Sequence, residues 1–157
     1  MILRMTVKNI RLTFSLAKIA KIMGVNSQLE DSLGHILMWD FDKQKLADVE
    51  LNLRVVQTRY FLSDIHILET NHDEGNFIAY CFTRTGWQRA VEIVSATAGV
   101  DWQFVRISVF RGWFTLRTGA KKSGVPHIVK RLEGYTLPDC SPEDLKSWVE
   151  YETLDKE

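Results

Sequence analysis

Two aspartates, Asp40 and Asp42, stand at the end of an apolar run that begins at residue 35. In a β-strand, residues two apart point to the same face, so these carboxylates would lie side by side. Adjacent carboxylates repel each other unless a cation lies between them. Mg²⁺ and Mn²⁺ relieve that repulsion and keep coordination positions for phosphate oxygens. The pair therefore indicates metal-dependent phosphoryl transfer, and the alternative is two solvated acids at a strand end.

A third carboxylate, Asp101, follows Gly99 and Val100 at the start of another apolar segment. Brought near Asp40 and Asp42, it would complete a cluster for two metal ions. Its alternative role is that of a turn or strand-entry residue. We predict that all three aspartates are metal ligands and catalytic residues.

Basic residues dominate the segment after Asp101. Residues 102–131 contain seven Lys and Arg and no acid, whereas residues 133–157 contain eight acids and two lysines. This asymmetry favours an anionic partner, and cations beside exposed aromatic residues are typical of single-strand or phosphate binding. The alternatives are two solvated surfaces of opposite sign, or an edge strand protected by charge. The candidate nucleotide-binding or nucleic-acid-binding residues here are Arg106, Arg111, Arg117, Lys121 and Lys122.

A polar segment at residues 69–76 separates two apolar runs and contains Gly75, which predicts a hairpin turn. Its backbone amides could reach a bound phosphate, although most such loops are only turns. The candidate binding residues in this segment are Thr70, His72 and Asn76.

The spacing of the apolar residues predicts the elements that would position these groups. In chain order we expect a strand at 35–41, a helix at 43–61, strands at 65–70 and 76–83, a helix at 86–98, and strands at 104–110 and 113–117. Residues 9–23 have helical spacing, and Ser141 followed by Pro142 is typical of a helix start. The predicted fold is α+β, with a ferredoxin-like or RRM-like βαββαβ core and helical extensions at both ends.

The length of 157 residues fits one domain. We divide it into an RRM-like core at 35–122, an N-terminal helical extension at 1–34 and a C-terminal extension at 123–157 with an acidic helix. Two cysteines without metal-like spacing indicate a reducing compartment. Because charged residues interrupt the apolar N-terminal segment, we expect no leader and no spanning segment. The expectation is a cytoplasmic protein without a membrane partner.

Residues 35–122, more than half of the chain, resemble the archaeo-eukaryotic primase superfamily in its divergent plasmid and phage primase-polymerase form. That family has an apolar strand ending in Asp-x-Asp, which residues 36–42 match. A helix, a strand and a glycine-containing turn into another strand follow, and residues 69–80 resemble the last part. The later features of the family, an apolar residue before Asp, a strand with Arg and a loop with Lys, are similar to Val100-Asp101, Arg106, and Lys121 or Lys122.

The resemblance implies an RRM-like sheet and a nucleotidyltransferase acting in the DNA replication of a mobile element. Mg²⁺ or Mn²⁺ held by Asp40, Asp42 and Asp101 would align a 3′-hydroxyl with the α-phosphate of a nucleotide. The implied partners are nucleotides, single-stranded or template nucleic acid, and replication proteins. The family has a histidine that contacts the phosphates of the incoming nucleotide, and Ile78 stands at that position here.

Two other interpretations remain open. The same sheet without catalysis would be a module that binds single-stranded nucleic acid through the basic segment and aromatic residues such as Trp113 and Phe114. Alternatively, the chain would be an adaptor for another protein, with the charged segments as plain surface. Walker, dinucleotide-binding, serine-nucleophile and zinc-site motifs do not occur in the sequence.

Overall fold

A computed structural model describes residues 2–8, 10–15, 19–31, 33–71, 74–120 and 124–154 of the chain. Its strands are β1 (Ile2–Val7), β2 (Ile10–Ser15), β3 (Ile19–Asn26), β4 (His35–Phe41), β5 (Ile65–Asn71), β6 (Asn76–Thr85), β7 (Thr115–Arg117), β8 (His127–Leu132) and β9 (Trp148–Leu154). Its helices are α1 (Leu46–Tyr60), α2 (Trp87–Ser95) and α3 (Trp102–Arg111), with a single 3₁₀ turn at Pro142–Asp144.

The strands form three antiparallel sheets. The first is the hairpin β1-β2, the second has the order β7-β3-β9, and the third has the order β4-β6-β5-β8. In the four-stranded sheet, β4 and β5 flank β6, and α1 connects them along the chain. The polypeptide is therefore an α+β fold, in agreement with the predicted class.

One face of the four-stranded sheet carries Trp39, Ala79 and Ile67, all fully buried. Trp39 lies opposite Ala79, and Ala79 lies opposite Ile67, so the three side chains share this face. The Trp39 indole Nε1–H donates to Thr97 Oγ1 at 2.8 Å, which ties the sheet to the end of α2. The other face, which carries Asp40 and the residues in register with it, borders the cavities described below.

Strand β8 completes the sheet beyond β5 and is fastened by charged side chains. Lys130 forms an ion pair with Glu50 of α1 at 3.3 Å, and Arg131 forms one with Asp64 just before β5. The carboxylate of Asp64 also accepts from the Gly134 N–H at 2.7 Å. These two cations of the basic segment therefore have acidic partners within the fold.

The predicted order from residue 35 to residue 98 is confirmed: strand, helix, two strands in a hairpin, and helix. The predicted strand at 104–110 is wrong, because these residues belong to α3. The residues buried there are Phe104, Val105 and Ser108, which is helical spacing, and the helix ends at Gly112 in the left-handed conformation. The fourth strand of the sheet is instead β8, so the predicted βαββαβ order fails at its last element.

The predicted N-terminal helix at 9–23 is also wrong, because its described residues lie in β2 and β3. Within β2, Ile10, Leu12 and Phe14 alternate with polar residues, which is strand periodicity. Val7 pairs with Ile10, and Lys8, which follows Val7, has a φ of 53°. The alternation and the pairing outweigh the helical spacing of the longer segment.

The predicted acidic C-terminal helix is wrong as well. The start signal is real, since Ser141 and Asp144 form a capping box around Pro142. However, the helical segment is only the 3₁₀ turn, and the chain then extends into β9, which pairs with β3. Neither terminal extension is helical in the way the sequence predicted.

Candidate functional site

A polar cavity of about 240 Å³ lies between the four-stranded sheet and β7. Its walls combine the ends of β4, β5 and β6 with the whole of β7. The lining residues are Asp40, Asp42, Thr70, Asn71, Glu74, Asn76, Ile78, Thr115, Leu116 and Arg117. Five of the residues predicted from the sequence therefore meet in one cavity: Asp40, Asp42, Thr70, Asn76 and Arg117.

Asp40 and Asp42 lie at the end of β4, as predicted. Asp40 is half-buried in the strand and lies directly opposite Ile78 of β6, whereas Asp42 is exposed just beyond the strand. Both residues line the polar cavity, which is what the same-face spacing of residues two apart predicted. The sheet register therefore puts Ile78 beside the first aspartate.

The hairpin between β5 and β6 is held against the chain that follows Asp42. The Asn76 Oδ1 accepts from the Lys43 N–H at 3.0 Å, and the Gly75 carbonyl accepts from the Gln44 N–H at 2.9 Å. On the hairpin itself, Thr70 Oγ1 donates to the Asn76 carbonyl at 3.1 Å. Asn76 and Thr70 thus position the hairpin that forms one wall of the cavity.

Arg117 crosses from the three-stranded sheet to the hairpin. Its Nη2 donates to the Thr70 carbonyl at 2.9 Å, and its Nη1 donates to the Gly124 carbonyl at 3.3 Å. The guanidinium therefore brings a fixed positive charge into a cavity that contains three carboxylates, those of Asp40, Asp42 and Glu74. The charged lining is net negative and favours a cation.

The backbone of Asp101 lies next to the backbone of Asp40 and is hydrogen-bonded to it. Its N–H donates to the Asp40 carbonyl at 2.7 Å. Its carboxylate accepts from the Gln103 and Phe104 N–H groups, both at 3.0 Å, and so caps the N-terminus of α3. Asp101 is adjacent to the aspartate pair, but its side chain has a helix-capping role and does not line the polar cavity.

The remaining predicted binding residues lie elsewhere. Arg106 and Arg111 are exposed on α3, outside the lining of the polar cavity. His72, Lys121 and Lys122 lie outside the described residues. The basic segment is therefore divided between α3, the cavity and the ion pairs of β8.

A second cavity, of about 660 Å³, lies on the same face of the sheet and shares Arg117 with the polar one. Its walls are mainly apolar and include Tyr80, Phe82, Ile128 and Trp148. His66 also lines it, and burial together with the nearby Arg131 guanidinium lowers the pKa of this imidazole. The sequence did not predict this cavity, because its walls come from distant segments that no local pattern connects.

The carboxylates of Asp40 and Asp42 are the groups in the polar cavity whose chemistry suits a hard divalent ion. Among the described residues, no three His, Cys, Asp or Glu side chains come together as a ready-made metal site. Mg²⁺, however, is commonly held by one or two carboxylates together with waters and substrate phosphates. Asp40 and Asp42 are the residues that would hold such an ion.

Comparison with known proteins finds no matching family model, no matching curated protein and no matching solved structure. In the part of the chain that the structure describes, no helix is both long and apolar enough to cross a membrane. The fold and the site thus define an α+β protein with a polar, carboxylate-bearing cleft.

Proposed function

We propose that this protein is a divergent primase-polymerase-like domain that binds a nucleotide and a divalent metal ion in the cleft beside Asp40. The observation that carries the proposal is the shared cavity of Asp40, Asp42 and Arg117. Two carboxylates and a guanidinium on facing walls suit a metal-bound phosphate, because the ion is attracted by the acids and the phosphate by the arginine.

The sheet topology supports the same proposal. In a ferredoxin-like core, two parallel strands joined by a helix flank an antiparallel strand, and β4, α1, β5 and β6 have this arrangement. In RRM-like domains the sheet carries the aromatic residues on which bases stack. The polar and apolar cavities both lie on one face of this sheet, with Asp40 and Tyr80 among their walls.

The nucleotide would span the two cavities. Its phosphates and the metal ion would lie with Asp40, Asp42 and Arg117, and its base would lie against Tyr80 and Phe82. The apolar cavity, at about 660 Å³, falls within the usual range for small-molecule sites. A bound metal ion would neutralise charge on the transferring phosphate and orient the attacking hydroxyl.

The first experiment is a titration of the full chain with Mn²⁺, followed by electron paramagnetic resonance. Asp40→Asn and Asp42→Asn should each weaken Mn²⁺ binding at least about tenfold, because each removes a charged ligand. Glu133→Gln, an exposed acid outside the cavity, is the matched control. Unchanged Mn²⁺ affinity in both aspartate variants would overturn the proposal.

The second experiment measures the binding of nucleoside triphosphates and also follows the incorporation of labelled nucleotides on primed and unprimed single strands. Ile78→His restores the family's histidine directly opposite Asp40. We expect this variant to bind nucleoside triphosphates more tightly than the unaltered protein in the presence of Mn²⁺. The histidine would add a hydrogen-bond donor for phosphate oxygens where the native side chain is apolar.

A second candidate function is nucleic-acid binding without catalysis. Two observations favour it: Ile78 stands where the resemblance implies a phosphate-contacting histidine, and the Asp101 carboxylate caps α3. This function predicts single-strand binding that survives Asp40→Asn and Asp42→Asn, without nucleotide incorporation. In either role we propose a cytoplasmic protein that acts with replication proteins of a mobile element.

A further inference from the structure

Helix α3 presents aromatic and cationic side chains to solvent. Trp102, Arg106 and Phe110 follow one another at intervals of four residues, which aligns them along one side of a helix. Trp102 is 65% exposed and Phe110 is 93% exposed, and Arg106 is exposed as well. We call these three residues the α3 stripe. Ile107 and Arg111, also exposed, lie next to it.

The α3 stripe is not needed to hold α3 on the protein. The opposite side of the helix carries the buried residues Phe104, Val105 and Ser108. The Phe104 ring stacks on the buried Phe114 at a centroid distance of 5.3 Å. The helix is therefore anchored by one face, while two large aromatic side chains remain in water on the other. Clustered exposed apolar side chains of this kind mark interaction sites.

The charge of the α3 stripe identifies the chemistry of its partner. Helix α3 contains Arg106 and Arg111 and no acid. Lys130 and Arg131, by contrast, pair with Glu50 and Asp64 and serve the fold. The arginines of α3 form no ion pair with any acid that the structure describes. Two such surfaces would repel each other, so a polyanion suits the helix better than a second copy of the chain does.

We propose that the α3 stripe binds single-stranded nucleic acid. Bases would stack on the rings of Trp102 and Phe110, and the Arg106 guanidinium between them would pair with a backbone phosphate. Eight residues of helix span ~12 Å, which is about the length of three or four stacked nucleotides at ~3.4 Å each. Trp102 and Phe110 lie about one helical turn before and after Arg106. This order, ring, cation, ring, matches the alternation of bases and phosphates along a nucleic-acid strand.

The position of the stripe connects it to the polar cavity. Trp102 directly follows Asp101, whose N–H donates to the Asp40 carbonyl at 2.7 Å. A nucleic-acid strand bound along α3 would thus pass Asp40 and Asp42 at the N-terminal end of the helix. This direction toward the cavity rests on the proposed function, whereas strand binding by the stripe does not depend on it.

The test is fluorescence anisotropy of a labelled oligothymidylate, and of the matching oligouridylate, with the full chain. Trp102→Ser and Phe110→Ser should each weaken binding by about 5- to 100-fold, the usual range for the loss of one stacked base. Arg106→Gln should reduce the slope of log Kd against log salt by about 0.7. The matched controls are Leu51→Ser and Val55→Ser, which remove apolar side chains of α1 that are 64% and 60% exposed. We expect both controls to bind like the unaltered protein.

Three outcomes would overturn the inference. The first is an unchanged Kd in all three stripe variants with unchanged thermal stability. The second is a change in sedimentation of Phe110→Ser without loss of strand affinity, which would assign the surface to a second copy. The third is displacement of the labelled oligonucleotide by polyglutamate as effectively as by unlabelled oligonucleotide, which would indicate an acidic protein partner.

The proposed function is tested separately from this surface. If Asp40→Asn loses Mn²⁺-dependent nucleotide binding while the stripe variants keep strand affinity, the inference fails and the proposed function stands. If the stripe variants lose strand affinity while Asp40→Asn and Asp42→Asn keep Mn²⁺ binding, the inference stands and the metal proposal fails.

Discussion

The backbone N–H of Asp101 donates to the carbonyl oxygen of Asp40 at 2.7 Å, and this bond joins the start of α3 to the end of β4. Sixty residues lie between the two aspartates in the chain. The bond satisfies an N–H at the capping position and leaves the Asp101 carboxylate free to turn toward α3, where it accepts two backbone hydrogen bonds. The hydrogen bond that holds Asp101 next to Asp40 thus also holds Asp101 at the N-cap position of α3.

Substitution of Asp101 separates capping from charge. Asp101→Ala should lower the free energy of unfolding by about 1 kcal/mol, because α3 loses its N-cap. Asp101→Asn should keep most of that stability, since Asn caps nearly as well as Asp. Urea unfolding monitored by circular dichroism measures both. Equal losses in the two variants would show that capping is not what the side chain contributes.

The buried hydrogen bond between Trp39 and Thr97 should be costly to break. Thr97→Val leaves the Trp39 indole N–H without its acceptor, at a cost of about 1–3 kcal/mol. Thr58→Val is the control, because its hydroxyl contacts Tyr135 at an exposed position and its loss should cost less than about 0.5 kcal/mol. Chemical denaturation gives both values, and similar losses would contradict the prediction.

Gly75 should tolerate no side chain. Its φ is +65°, and an added Cβ would lie 2.4 Å from the Gln44 carbonyl oxygen. Gly75→Ala should therefore lower the free energy of unfolding by more than about 1 kcal/mol and weaken Mn²⁺ binding, because the hairpin wall must shift. At Gly86 an added Cβ meets nothing within 4 Å, and the residue caps α2. Gly86→Ser should consequently be neutral or slightly stabilising in the same unfolding measurement.

Acidification should destabilise the protein through the buried His35 and the half-buried His66. The Nδ1 atom of His35 lies 3.0 Å from Ser27 Oγ, and its ring packs on Trp87. Burial lowers the pKa of His35, and it also lowers the pKa of His66. The unfolded chain, with a histidine pKa near 6.5, then takes up protons before the folded protein does. The free energy of unfolding should fall as the pH drops below about 6.5, and the fall should end below the lowered folded pKa.

Urea midpoints measured between about pH 7.5 and about pH 5 test this dependence. His35→Gln and His66→Gln should each reduce the slope, because each removes an imidazole whose pKa burial lowers. Asp64 acts in a lower window, because its hydrogen bonds from Gly134 and Arg131 lower its pKa. Its stabilising contribution is present above about pH 3.8 and is lost as the pH falls through the lowered folded value.

Both cysteines should resist alkylation in the folded protein. Burial raises the pKa of Cys140 to about 11 and also raises that of Cys81. At pH 8 only about one Cys140 in a thousand would be a thiolate, the reactive form. Iodoacetamide labelling followed by mass spectrometry should be slow until a denaturant is added. Rapid labelling of Cys140 without denaturant would contradict the burial of its thiol.

The sequence predicted the middle of the chain because its patterns there are long and mutually consistent. Val49, Leu53 and Val56 recur at helical spacing and are all buried in α1. Helix α3 was mistaken for a strand because its β-branched and aromatic residues fit an extended segment equally well. The deciding signals were the capping Asp101 and the left-handed Gly112, which bracket ten residues.

The candidate site was predictable only as far as local geometry reaches. The same-face placement of Asp40 and Asp42 follows from the two-residue period of a strand. That Arg117 would face them depends on the pairing of β7 with the end of β3, a strand whose first residues, 19–23, were predicted to end a helix. The apolar cavity is lined by Tyr80, Ile128 and Trp148, which lie on three different strands and which no spacing rule connects.

Strand β8 has a consequence for how the molecule behaves at high concentration. It is one of the two edge strands of the sheet β4-β6-β5-β8, and it carries His127, Lys130 and Arg131 in six residues. A second copy of β8 that approached this edge would bring the same Lys130 and Arg131 side chains. The acids that could neutralise them, Glu50 and Asp64, are already paired with the cations of the first copy. Such edges discourage stacking of sheets from neighbouring molecules. The fold therefore carries its own protection against growth into fibres along this edge.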